Sequence, residues 1–297
     1  MPWVFVLIWS TGFVVARYAM PHAPPLTFLS LRYALSVLCF GLWVALVKAA
    51  WPTAQRQWLH LAVSGVLMHA GYLGGVWSAV KLGIGAGTVA LLVGLQPVLT
   101  ALWLAAAGVR QQGDRGRVRS RVGTREWLGL LLGLVGLALV LGGKFGIGEV
   151  TPWNLALAVL ALLSITSGTL YQKRFVAPCD VRTANAVQLL AALAVSLPFA
   201  WLEVEPMRWH PEMIGALAWS VLVLSLGGSS LLYLLIQRGA ATQVTSLLYL
   251  VPPCTALLAW ALFGESFTAT MLLGLMVTVA GVAMVVKAPA TSATPPQ

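Results

Sequence analysis

Long apolar runs alternate with short polar breaks along this chain. A helix needs about 20 apolar residues to cross a ~30 Å hydrocarbon core. Ten runs meet that need: residues 2–19, 26–48, 58–81, 86–108, 126–144, 152–171, 184–202, 212–236, 241–264 and 268–287. The longest connection, about 17 residues between the fourth and fifth runs, leaves no room for a soluble domain. The pattern predicts an all-α polytopic membrane protein with ten transmembrane helices. Pro21, Pro24 and Pro25 break the chain between the first two runs. Trp43, Trp51, Trp58, Trp127, Trp153, Trp201 and Trp209 lie near run ends, where indole favours the membrane interface. Gly71/Gly75 and Gly129/Gly133 are spaced to let helices approach closely.

Composition agrees with the pattern. Of the 297 residues 59% are hydrophobic and 9% charged, and the mean hydropathy is +0.88. So few charges cannot cover the surface of a soluble protein, which also disfavours a disordered chain, a nucleic-acid binder and a disulfide scaffold. Cys39, Cys179 and Cys254 form no Cys-x-x-Cys motif and read as small apolar residues. Residues 3–9 lack a basic stretch before them and a small-residue cleavage site before Arg17, so the first run is expected to stay as a span.

The net charge of +10 is explained by where the charges fall. With the N-terminus inside, 13 of the 18 Lys and Arg residues lie in inside connections or the tail. Arg17, Lys81, Lys144 and Arg208 lie outside, and Arg32 is within a span. The bias predicts a multi-pass protein of a bacterial inner membrane with both termini cytoplasmic. The Arg-rich loop 109–125 then acts as a topology determinant, and no nucleic-acid partner is needed.

The chain also resembles itself. At an offset of about 155, Leu95–Leu102 falls on Leu250–Leu257, and Gly12 falls on Gly168 at 156. Past the basic loop the offset is 145, and Gly129 and Gly136 land on Gly274 and Gly281. This predicts two five-helix repeats, 1–144 and 152–287, followed by a disordered cytoplasmic tail, 288–297. Five is odd, so equivalent helices run in opposite directions. Inverted repeats of this kind build secondary transporters with a site at the repeat interface.

Several stretches resemble the EamA-type drug/metabolite transporter superfamily. They are Pro253–Glu265 with Leu273-Gly274 and Ala280-Gly281-Val282, Gln96-Pro97-Val98 with Trp127–Gly133, Leu31-Arg32-Tyr33, and Trp9–Phe13. The resemblance implies ten helices in two inverted halves and the movement of small metabolites. Overall the chain is similar to bacterial exporters of aromatic amino acids. One departure stands out: the Gly-Glu ending at Glu265 has Gly108-Val109-Arg110 in its first-half counterpart region.

The candidate chemistry is defined partly by what is missing. The eight acids, Asp114, Glu126, Glu149, Asp180, Glu203, Glu205, Glu212 and Glu265, all fall in loops or at helix ends. Proton-driven pumps place a titrating carboxylate within the membrane, so carboxylate coupling and a trap for cationic drugs are both disfavoured. Arg32, about seven residues into the second span, either fixes packing or meets a substrate carboxylate. Gly65, His69, Tyr72 and Val76 share one helical face, flanked by Trp77, and suit a pocket wall. Hydroxyl stripes follow at Ser225, Ser229 and Tyr233, and at Thr242, Thr245, Ser246 and Tyr249. Trp9, Ser10, Thr11 and Gly12 match the region of Thr166, Ser167 and Gly168. The expected substrate-binding set is His69, Tyr72, Trp77, Trp9, Thr11, Thr166, Ser229, Tyr233, Thr245 and Tyr249. Pro97, Pro252 and Pro253 interrupt equivalent helices and are expected to serve as hinges.

The partners expected are a small-molecule substrate and the lipid bilayer, in a unit that can work as a monomer. No cofactor or metal is expected, because Cys and His spacing offers no ligand set. The function these features favour is facilitated export of aromatic or neutral amino acids by alternating access. A proton-coupled exporter of drugs or other metabolites and a non-transporting scaffold are the alternatives. An intramembrane enzyme is disfavoured, since no Gly-x-Ser-x-Gly elbow occurs.

Overall fold

The computed structural model describes residues 2–106, 111–113, 116–118, 124–145, 148–231, 250–265 and 268–286. These residues are helices joined by short turns and connections, with one antiparallel ribbon of β1 (Gln111–Gly113) and β2 (Gly116–Val118) within the basic connection, a stretch expected to be a loop. The helices are α1 (Pro2–Ala19), α2 (Pro25–Val47), α3 (Gln55–Lys81), α4 (Ala86–Val93), α5 (Gln96–Ala106), α6 (Thr124–Phe145), α7 (Pro152–Phe175), α8 (Val181–Ala200), α9 (Pro211–Ser229), α10 (Val251–Phe263) and α11 (Ala269–Val286). They follow the ten predicted runs, with the fourth split into α4 and α5. α2, α3, α7, α8 and α9 are long and apolar enough to cross a membrane, and the other runs appear as shorter apolar helices.

The outer surface is apolar in the way lipid requires. Leu38, Leu42 and Leu46, spaced by four on α2, are 68%, 62% and 73% exposed, and all seven of the Trp residues assigned to the interface are exposed. Inside, one apolar core runs through both halves of the chain and includes Phe13, Phe28, Tyr33, Trp77, Ile165 and Leu189.

Glycines set the closest helix contacts. A Cβ at Gly281 would lie 2.5 Å from the Gly129 carbonyl oxygen, and one at Gly274 would lie 2.5 Å from that of Gly136. α6 and α11 therefore touch backbone to backbone. Gly75 does the same for α3 against α7, where a Cβ would stand 2.7 Å from the Leu157 carbonyl. Gly264, at φ 63°, closes α10 in the left-handed conformation that glycine adopts without strain.

Carboxylates hold one end of the bundle together. Glu203 accepts from the Leu26 and Thr27 amides at 2.9 and 2.7 Å, capping α2, whose own N-cap is a proline with no side chain to offer. Glu205 pairs with Lys81 at 2.7 Å and Glu212 with His22 at 3.0 Å. Glu149 accepts from Gly85 N at 2.9 Å and Glu265 from Ala86 N at 3.1 Å, so two acids meet the positive start of α4. All five come from residue 149 onward and grip groups before residue 87. At the opposite end the hydrogen bonds between halves, among the described residues, are neutral: Gln57 with the Ala177 backbone, His60 Nδ1 with the Tyr171 hydroxyl at 2.8 Å, and the Thr183 hydroxyl on Ala50 O, and the Arg182 guanidinium lies over the Trp43 ring at 5.6 Å. There Asp180 caps α8, and the hydrogen bond from the Arg182 side chain holds its carboxyl below the usual range.

Gly281→Leu is expected to wedge α6 from α11 and cost at least the roughly 1–3 kcal/mol typical of overpacking. Gly142→Leu, at a position with no neighbour within 4 Å, should leave stability unchanged. Thermal unfolding in detergent, followed by tryptophan fluorescence, checks both.

Candidate functional site

The site is built where two helices leave the α-helical pattern. α3 is π-helical over Val66–Gly71, and α9 over Ser220–Ser229. A π turn widens the helix, removes regular backbone partners and is often found at functional sites. Here hydroxyls add hydrogen bonds to carbonyls of the two segments, although Leu67 O and His69 O also accept the Tyr72 backbone N–H. The Tyr33 hydroxyl donates to His69 O at 2.9 Å, and Ser164 to Leu67 O at 2.9 Å. On α9, Ser225 donates to Ser220 O at 3.0 Å and Ser229 to Leu224 O at 3.4 Å, both five residues back.

Between these segments lies a cavity, open at its mouth, that encloses about 760 Å³ of non-atom space. The first half of the chain contributes Trp9, Gly12 and Phe13 of α1, Arg32 of α2, and Met68, His69, Tyr72, Leu73, Val76 and Trp77 of α3. From the second half come Ile165 and Gln172 of α7, Asn185 and Gln188 of α8, and Leu224 and Ser229 of α9. The walls are chiefly aromatic and aliphatic, with amides at one end and one guanidinium.

Several contacts fix the polar groups. Arg32 is 5% exposed, and its Nε donates to Ser225 Oγ at 3.2 Å, tying α2 to α9. The Trp9 indole and the Tyr72 ring both face the cavity. Gln188 Nε2 donates to Ser64 Oγ at 2.9 Å and to Gln172 Oε1 at 3.1 Å, and its side chain also meets His69. Trp77 stacks on Phe28, with ring centroids 4.6 Å apart, which holds the indole in place.

Of the expected site residues, the cavity gathers Trp9, Arg32, His69, Tyr72, Trp77 and Ser229. Thr11 lies elsewhere: its hydroxyl donates to Ile8 O at 2.6 Å and accepts from the Trp219 indole at 2.9 Å. Thr166 is buried and bonds its own helix at Leu162 O. Gly65, assigned to the pocket face, instead lets the α8 backbone approach at Gln188. Tyr233, Thr245 and Tyr249 lie outside the described residues. Pro97 and Pro252 line a second, smaller cavity of about 310 Å³ that shares Trp9 and Phe13 with the first. Pro97, Pro252 and Pro253 fall in the first turns of α5 and α10, not mid-helix. There a missing N–H costs no hydrogen bond, and α4 meets α10 where Gly94 approaches Pro252.

The amides Gln172, Asn185 and Gln188 were missed. Each sits near an end of an apolar run, where a polar side chain reads as a boundary. The i, i+3 spacing of Asn185 and Gln188 was the available signal. Among the described residues, His22, His210 and Glu212 bring metal-ligating atoms together. The two imidazoles stack at 4.3 Å with planes 11° apart, so they do not aim both lone pairs at one point.

With this geometry in hand, comparison with known proteins gives the class. The EamA-like transporter family matches residues 3–142 and again 152–287, and the chain belongs to that family. It is a multi-pass membrane protein. The uncharacterized inner membrane transporter YedA of Escherichia coli is 26% identical over 281 residues, covering 94% of this chain and 87% of that protein. The uncharacterized transporter YvbV of Bacillus subtilis is 25% identical, covering 94% and 88%. A probable amino-acid metabolite efflux pump of Salmonella typhimurium is 22% identical, covering 93% and 90%. One solved crystal structure, 21% identical, shares the fold with a TM-score of 0.64 over 96% of this chain and 95% of that one.

Tyr33→Phe removes the side-chain donor to the His69 carbonyl, which keeps the Tyr72 backbone N–H. It is expected to cost about 0.5–1.5 kcal/mol, the worth of one hydrogen bond, read by denaturant unfolding in detergent.

Proposed function

We propose that the protein is a secondary transporter exporting small metabolites, aromatic and other neutral amino acids first, through the cavity between its halves. The observation that carries this reading is the cavity's composition: an aromatic wall of Trp9, Phe13, Tyr72 and Trp77, a guanidinium, and neutral amides. It suits a compact substrate with a ring and a carboxylate. The printed name of the Salmonella relative supports amino-acid export.

Alternating access needs two halves that move as equivalents, and the packing supports an inverted repeat. Numbering the predicted spans one to five in each half, α2 packs on α8 and α6 on α11, each against its own counterpart. Several other contacts come in reciprocal pairs: α1 with α9 and α3 with α7, then α2 with α9 and α3 with α8. Gly129 meets Gly281 while Gly136 meets Gly274, although the repeat equates Gly129 with Gly274 and Gly136 with Gly281. Reciprocal contact of this kind is what a two-fold axis produces. The π segments also fall in the equivalent third helices.

In this reading residues 1–144 and 152–287 are the repeats and the monomer is the working unit. The carboxylate-bound end faces the periplasm, and both termini lie in the cytoplasm of a bacterial inner membrane. A single cysteine at Gly113 should then be labelled only from the cytoplasmic side. With no acid in mid-span, movement is facilitated, down the substrate gradient.

Liposomes holding the purified protein should take up radiolabelled tryptophan and phenylalanine saturably without an imposed pH gradient. Trp9→Ala or Tyr72→Ala should raise KM several-fold to about tenfold, the worth of one aromatic contact. Uptake only under a gradient would favour the proton-coupled reading and turn attention to His69. No uptake of any candidate would leave the scaffold reading.

A further inference from the structure

We propose that the cavity recognises its substrate through the carboxylate, at Arg32, and offers the substrate's ammonium group no opposite charge. It therefore takes the monoanionic, deaminated form of an aromatic amino acid at least as readily as the amino acid itself. This inference rests on the transport reading above and narrows its substrate class.

Arg32 is buried and lines the cavity, and among the described residues its one protein partner is the neutral Ser225 hydroxyl. Among the described residues no carboxylate is available to it. Glu149 is held by Lys144 at 2.6 Å and by Gly85 N, Glu203 caps α2, Glu205 pairs with Lys81, Glu212 with His22, and Asp180 with Arg182. Glu265 caps α4 at Ala86. Asp114 and Glu126 belong to the basic connection and the start of α6, and residues 232–249 contain no acid.

A buried guanidinium without a counter-charge is an expensive group. A substrate carboxylate supplies the charge and matches the planar fork with two parallel hydrogen bonds. The ammonium of an amino acid finds no such partner. The amides Gln172, Asn185 and Gln188 offer only neutral oxygens, and Gln172 Oε1 already accepts from Gln188. Arg32 repels a second cation, and His69 can only add positive charge. A monoanion brings the cavity to neutrality, a zwitterion leaves it positive, and an amine makes it more so.

Three compounds with one phenyl ring separate these cases: 3-phenylpropionate, phenylalanine and phenethylamine, each competing with radiolabelled phenylalanine uptake into proteoliposomes. We expect 3-phenylpropionate to half-inhibit at or below the concentration needed by unlabelled phenylalanine, and phenethylamine to be at least about tenfold weaker, a difference of about 1.4 kcal/mol. Arg32→Gln should weaken both carboxylates at least about tenfold and leave phenethylamine unchanged, and Arg32→Lys should recover part of the loss. Phenethylamine competing as well as 3-phenylpropionate would overturn the inference while leaving the transporter reading intact. The wild-type comparison needs no variant, so a misfolded Arg32→Gln does not remove the test. Should phenylalanine not be transported, the transporter reading is in question, and ligand-induced thermal stabilisation by 3-phenylpropionate decides the binding claim: none in the wild-type protein overturns it.

Discussion

In hydrocarbon no water stands ready to receive a loose N–H or carbonyl, so every backbone polar group of a spanning segment must find its partner within the protein. That constraint makes the chain helical, and it also makes departures from the helix informative. α3 and α9 turn π-helical over Val66–Gly71 and Ser220–Ser229, and the fourth predicted span breaks between α4 and α5. At the two π segments hydroxyls of Tyr33, Ser164, Ser225 and Ser229 donate to backbone carbonyls. The cavity lies beside both. The irregular backbone is thus confined to places where protein side chains, rather than lipid, meet it, and the same side chains shape the space a substrate would enter.

Charge is partitioned just as sharply. Five acids gather at one end, where they cap helix starts and pair with Lys81 and His22 of the first half. The opposite end joins the halves through neutral hydrogen bonds among the described residues, with the Arg182 guanidinium over the Trp43 ring. Between them stands Arg32, the one charge within a span, bonded to a serine. Using carboxylates as ties at the rim leaves none for the middle, and a cavity of positive sign follows directly from that allocation.

Much of this was readable from the residues. The ten runs, the exposed tryptophans and the glycine pairs on α3 and α6 depend on local periodicity and size, which sequence displays directly. The pocket face around His69, Tyr72 and Trp77 was readable for the same reason. Less visible was anything set by a long-range partner. Thr11 looks like a cavity residue until Trp219 is seen to donate to it. Gly65 shares the face of His69 by spacing, but a π turn between them shifts the register, and α8 fills the place. Gln188 looks like a helix-end marker until Ser64, Gln172 and His69 converge on it. The prolines read as interruptions of helices, and the fourth span does break just before Pro97, whose missing N–H falls in the first turn of α5.

The central claim is that two equivalent halves rock about the cavity, opening one end as the other closes. Double electron–electron resonance tests it most directly, with spin labels at Leu82 and Val204 across the carboxylate-bound end, and at Ala50 and Ala177 across the neutral end, after Cys39, Cys179 and Cys254 are replaced by alanine. The account predicts two distance populations at each end, shifted in opposite directions by substrate. A single unmoving distance at both ends, or the two ends opening together, would contradict it.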